Sequence, residues 1–177
     1  MPSGSITIYK LIILYTLSKV ETPLPPSIIS DYITSHDYTN YFTLQNALGE
    51  LLEADLIREE STYHLTYYTL TEPGRETLAL FGTPLSPDIR KEIDEYLQER
   101  KYQIIDETSL VSDYHRTKNG TYLVTCVIRE KNHILFRLEF DVMTEADAIK
   151  ICENWKKESG GLYQTAMQKL LNQKNIG

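Results

Sequence analysis

Residues 41–75 constrain this chain more than any other stretch. Leu44, Leu48, Leu51 and Leu52 fall at i, i+4, i+7 and i+8, the spacing of one buried helix face. Thr39 or Asn40 can cap that helix at its start. After Ala54-Asp55 the period changes: Ile57 to Glu60 and the tyrosine-rich Tyr63 to Leu70 read as two strands turning near Ser61-Thr62. Leu70-Thr71-Glu72-Pro73-Gly74-Arg75 closes the unit, and Gly74 to Phe81 reads as a short helix. Two earlier helices are expected. Residues 6–19 carry Tyr9, Ile13, Leu14 and Leu17 inward, Ser27 to Thr34 carries Ile28, Ile29, Tyr32 and Ile33, and Thr22-Pro23-Leu24-Pro25-Pro26 breaks the chain between them.

The second half changes character. Gly82-Thr83-Pro84-Leu85-Ser86-Pro87 reads as a linker and as a helix start, with Ser86 as cap and Pro87 in the first turn. That helix runs to about Arg100 with Ile89, Ile93, Tyr96 and Leu97 on one side. Three antiparallel strands are then expected over Lys101 to Thr117, Thr121 to Glu130 and His133 to Val142, turning at Asn119-Gly120 and Lys131-Asn132. The last is the cleanest, with Ile134, Phe136, Leu138, Phe140 and Val142 toward a buried face and Arg137, Glu139 and Asp141 toward water. Thr144 with Asp147 resembles a capping box opening a helix that holds Ala148, Ile151, Cys152 and Trp155. Ser159-Gly160-Gly161 is expected to end it, before a final helix with Leu162, Tyr163, Ala166, Met167, Leu170 and Leu171. The predicted fold class is α+β, with one domain over residues 1–82 and a second, built on a three-stranded meander, over 83–177.

The order helix, strand, hairpin and Leu-Thr-x-x-Gly-Arg resembles the recognition helix and wing of a winged helix-turn-helix domain. Over its full length, and most closely through Asp37-Tyr38-Thr39-Asn40-Tyr41-Phe42-Thr43-Leu44-Gln45, the chain is similar to a bacterial winged-helix family known mainly as a domain of unknown function, whose members are labelled transcriptional regulators. PadR-like regulators are a more distant comparison that covers the first half. The resemblance implies a DNA-reading helix at residues 41–55 and a wing at 58–68. Candidate base-reading positions are Thr43, Asn46 and Gly49, with Gln45 at the edge, since Asn and Gln can pair bidentately with adenine. Winged-helix regulators usually pair, so a homodimer is expected, held through the last helix or the first.

Charge pulls the other way. Residues 1–82 hold four basic side chains, Lys10, Lys19, Arg58 and Arg75, against ten acidic ones, a balance of −6 within a chain of net charge −7. A specific DNA-binding protein neutralises on the order of 6–10 phosphates. Glu50 and Glu53 share the outward helix face with Phe42, and Glu59 and Glu60 occupy the wing beside Arg58. Phe42 and the wing residues Tyr63, His64, Tyr67 and Tyr68 give that surface an aromatic character suited to protein contact, with alternation turning either Tyr63 and Tyr67 or Tyr68 outward, not all three. Two readings lead, a DNA-binding transcriptional regulator or an acidic protein-interaction module, with a small-molecule-binding or enzymatic C-terminal domain a distant third.

Nothing in the sequence composes a catalytic, metal or cofactor site. His36, His64, His115 and His133 have no partner at ligand spacing, although His115 and His133 fall on strands of one sheet. Cys126 and Cys152 lie in apolar patterns and read as buried free thiols. The apolar run Leu11 to Leu17 is too short to span a bilayer, and a cytoplasmic protein without membrane contact is expected.

Overall fold

The computed structural model describes residues 2–171. It is α+β: seven helices, a two-stranded antiparallel hairpin and a three-stranded antiparallel sheet among the described residues. The chain divides into two compact units between Thr108 and Ser109.

In the first unit, α1 (Pro2–Ser18), α2 (Pro26–Ser35) and α3 (Tyr41–Glu53) precede β1 (Ile57–Ser61), β2 (Thr66–Leu70) and α4 (Glu72–Phe81). One core gathers Ile12 and Ile13 of α1, Ile29 and Ile33 of α2, Leu44, Leu48 and Leu51 of α3, and Ile57 and Tyr68 of the hairpin. The proline-rich break after α1 does more than end a helix. Leu24 is buried and bridges Tyr68, with reciprocal N–H to carbonyl bonds of 2.9 Å, so the linker pairs with the free edge of β2.

Gly74 explains the Leu-Thr-x-x-Gly closure. Thr71 caps α4 by accepting from the Gly74 N–H at 3.0 Å, donates its hydroxyl to the Asp55 carbonyl at 2.7 Å and its N–H to the Leu56 carbonyl at 3.2 Å. These bonds press the first turn of α4 onto the turn after α3, where Asp55 takes a positive φ of 55°. A Cβ on Gly74 would lie 2.0 Å from the Leu56 carbonyl oxygen.

Residues 82–87 are not a linker. Leu85 is buried, and the Arg90 side chain donates to the Gly82 and Leu85 carbonyls at 2.7 and 3.1 Å. Helix α5 (Pro87–Glu99) sends Ile93, Tyr96 and Leu97 into the same core, and the Tyr96 hydroxyl donates to the Ile28 carbonyl at 2.7 Å. The compact boundary therefore falls some 26 residues beyond the 82/83 division expected from sequence. The expected strand from Lys101 is also corrected. Lys101–Ser109 forms α6, in which Ile104 and Thr108 are buried one turn apart and the Thr108 hydroxyl donates to the Ile104 carbonyl.

The second unit orders β3 (Leu110–Arg116), β4 (Tyr122–Glu130) and β5 (His133–Val142) as β3-β4-β5, covered by α7 (Glu145–Leu171). Val124, Cys126, Ala148 and Trp155 form its small core, and the Trp155 indole donates to the Val127 carbonyl at 3.1 Å. Thr144 and Asp147 make the anticipated cap, the hydroxyl accepting from the Asp147 N–H at 3.2 Å and donating to its carboxylate at 2.7 Å. Helix α7 does not stop at Gly160-Gly161 but runs unbroken for 27 residues. Its covered face continues through Trp155, Ser159, Tyr163 and Ala166, with the Tyr163 ring edge-on to Phe136, and this packing on both sides offsets about 2 kcal/mol of lost helix propensity at two glycines. Strand β5 departs from strict alternation. Its register against β4 shifts between Ile128 and Arg129, leaving Leu135 unpaired and Ile134 opposite Arg129. Ile134 thus leaves the series of Phe136, Leu138, Phe140 and Val142, and that series is only half-covered, with Phe140 38% exposed.

Candidate recognition surface

The surface singled out by the sequence is built on α3. Asn40 is its cap, the side-chain oxygen accepting from the Thr43 N–H at 2.9 Å. With Leu44, Ala47, Leu48 and Leu51 buried, the helical period turns Phe42, Asn46, Gly49, Glu50 and Glu53 outward, and all five are exposed. Phe42 is 74% exposed. Thr43 and Gln45 are half-buried at the margins, so of the four positions suggested for base reading only Asn46 and Gly49 stand fully on the surface. Tyr41, 65% exposed, was missed in the sequence. Its place in the first helical turn, ahead of the first buried leucine, was the available signal.

The hairpin supplies the second part. Register pairs Glu59 with Tyr68 and Glu60 with Tyr67. Tyr67 and Tyr68 are both buried, although only one of them was expected to point inward. A two-stranded ribbon has two faces, and each is covered here. Tyr68 enters the core, while the Tyr67 hydroxyl on the opposite face donates to the Glu107 carbonyl of α6 at 3.3 Å. Burial raises the Tyr68 hydroxyl pKa, reinforced by Glu59 and then by Tyr41, which places the start of α3 beside the ribbon. The turn keeps Tyr63 72% exposed, its ring edge-on to exposed His64 with centroids 4.8 Å apart.

Cations contribute little to this surface. Lys10 pairs with Glu50, which cancels the positive charge nearest the outward face of α3. Arg58 is exposed, stands on the Tyr67 face of the ribbon and approaches Asp55 at 4.0 Å. Arg75 approaches Glu72 at 4.0 Å. Glu53, Glu59 and Glu60 are exposed. Through Thr108 the first unit carries eight basic against seventeen acidic side chains, a balance of −9. The surface is anionic and set with three exposed aromatic rings, Tyr41, Phe42 and Tyr63.

Among the described residues no group of three or more His, Cys, Asp or Glu side chains could hold a metal ion. His115 is opposite Leu123, which in turn is opposite Asp141, whereas His133 is opposite Glu130, so the two histidines occupy opposite ends of the sheet. Burial pushes the Cys126 thiol up to about 12 and raises that of Cys152, which suppresses thiolate at neutral pH. Among the described residues no helix is long and apolar enough to cross a membrane.

No curated protein and no solved structure matches the chain. The family described as Domain of unknown function (DUF4364) matches residues 9–170, and the chain belongs to that family.

Proposed function

We propose that the first unit is a winged-helix recognition module, and that its α3–hairpin surface binds a protein partner bearing Lys and Arg side chains. The observation that carries this reading is Phe42, 74% exposed at the start of the outward helix face that carries Glu50 and Glu53 further along. A large apolar ring held in water by a rigid helix gives contact area at small entropic cost. The surrounding carboxylates steer a cationic partner, whose guanidinium or ammonium groups can also lie over Phe42, Tyr41 or Tyr63. Within the regulatory role that the resemblance implies, the protein acts through another protein rather than through base pairs. Asn46 favours the second reading, direct DNA binding, because it stands exposed where a recognition helix would meet base edges. The −9 balance and the Lys10–Glu50 pair oppose it, since phosphate contact needs unpaired cations.

The test compares capture from a cell extract by immobilised full-length protein and its variants. Phe42→Ala and Tyr63→Ala should each lose the retained partner while melting as the wild type does. Tyr102→Ala is the control, because Tyr102 is also highly exposed but lies on α6. Equal retention by all four proteins would sink the assignment of this surface.

A further inference from the structure

We infer that β5 is the self-association edge of this protein, pairing antiparallel with β5 of a second copy about a two-fold axis at Leu138. Strand β5 bonds β4 on one side, and among the described residues the sheet order gives it no partner on the other. Beyond the irregularity at Leu135, the run Phe136 to Val142 is seven residues of regular strand. It contains no Pro, and the charges that guard it, Arg137, Glu139 and Asp141, are of mixed sign and so can be matched by a strand of complementary pattern. Its α7-facing side chains are left half-covered. A groove of about 750 Å³ runs between that edge and α7, floored by Phe140, Val142, Ile151, Trp155 and Leu162.

The charge pattern points to a second copy as occupant and favours one register within the regular run. In an antiparallel pair, residues directly opposite share a face, so a two-fold axis with both α7 helices on one side pairs positions of equal parity. An axis at Arg137 sets arginine against arginine. An axis at Glu139 sets glutamate against glutamate, one at Phe140 sets Glu139 against Asp141, and one at Asp141 sets aspartate against aspartate. The axis at Leu138 places Arg137 of each copy opposite Glu139 of the other and Phe136 opposite Phe140, with no like charges facing. In the isolated chain Arg137 and Glu139 bond to each other at 2.9 Å, both exposed. Self-pairing gives each a second partner of opposite sign. On the other face, Phe136 of the second copy enters the groove beside Phe140. The two meanders then join into one six-stranded sheet, with an apolar seam flanked by the two α7 helices.

The experiment is sedimentation velocity of the full-length chain from about 1 to 100 µM. The wild type should show a concentration-dependent dimer. Arg137→Glu and Glu139→Arg each turn two symmetry-related attractions into repulsions, and each should raise the dissociation constant by about tenfold. The double variant Arg137→Glu/Glu139→Arg restores opposite charges across the axis and should return the constant to near the wild-type value. Both positions are exposed, so melting at a concentration where every variant is monomeric should not change. A wild type that is monomeric at 100 µM, or a dimer indifferent to the single swaps, or a double variant no tighter than the singles, would overturn the inference. None of these outcomes depends on what the α3 surface binds.

Discussion

Substituting Gly74 by alanine separates two opposed effects. Gly74 is in the first turn of α4, and in a helix alanine is favoured over glycine by about 1 kcal/mol. Propensity alone therefore predicts stabilisation. Contact geometry predicts the reverse. The new Cβ would be 2.0 Å from the Leu56 carbonyl oxygen and 2.8 Å from Leu70 Cδ1, where real contacts begin near 3.0 Å. The nearest obstacle is backbone, so the first turn of α4 must retreat by roughly 1 Å, and the Thr71 bonds to Asp55 and Leu56 stretch with it. Overpacking of this kind costs about 1–3 kcal/mol and each weakened bond about 1 kcal/mol. Set against the propensity gain, the net loss is about 2–4 kcal/mol. Urea unfolding followed by far-UV circular dichroism reads this loss, and Trp155, the chain's one tryptophan, reports on the second unit by fluorescence. Gly160→Ala and Gly161→Ala are the internal control. Neither Cβ would meet anything within 4 Å, so each should stabilise α7 by about 0.5–1 kcal/mol. A Gly74→Ala protein as stable as the wild type would refute the close approach of α4 to the α3–β1 turn.

Four further outcomes follow from buried polar groups and a cap. The Tyr32 hydroxyl is buried without a hydrogen bond of normal geometry, with Tyr38 and Glu92 as its polar neighbours, so Tyr32→Phe should change stability by less than about 1 kcal/mol. Tyr96→Phe removes the bond to the Ile28 carbonyl, which keeps its partner within α2, and should cost about 1 kcal/mol; a reversed order in urea titrations would contradict both assignments. Burial pushes the Tyr96 hydroxyl up to about 12, above the value near 10 of an unfolded chain, so the unfolded state loses its proton first. That stabilisation is complete below pH 10 and is lost at about 1.4 kcal/mol per unit as pH rises toward 12, so urea midpoints flat between pH 9 and 11.5 would argue against a buried neutral phenol. Asn40→Ala removes the cap of α3 and should cost about 1 kcal/mol, whereas Asn40→Asp should retain most of it, again by urea titration.

Where packing is local, the residues announced it. The leucines of α3, the Asn40, Ser86 and Thr144 caps and the Asn119-Gly120 turn, where Gly120 takes a φ of 82°, are decided within a few positions. What escaped was decided at a distance. Tyr67 and Tyr68 cannot both point inward in an alternating pattern unless something covers the second face of the ribbon, and α6 does so from 40 residues away. Helix α6 itself was masked by the alternating strand that follows it, although Ile104 and Thr108 at i, i+4 and the Gln103–Glu107 bond carry the helical period. Gly160-Gly161 is a helix stop by local rules, and only the apolar series on both sides argues for continuation. For the recognition surface, the exposure of Phe42 and Tyr63 followed from the helical period and the turn. The Lys10–Glu50 pair joins helices 40 residues apart and was not legible.

Whether the α3–hairpin surface reads DNA or meets protein turns on its electrostatics, and fluorescence anisotropy with labelled genomic duplexes tests that directly. At about 50 mM salt, where phosphate contacts are strongest, the account predicts no saturable binding by the full-length protein. Saturable binding whose logarithm falls steeply with the logarithm of salt, and which Asn46→Ala weakens, would contradict it.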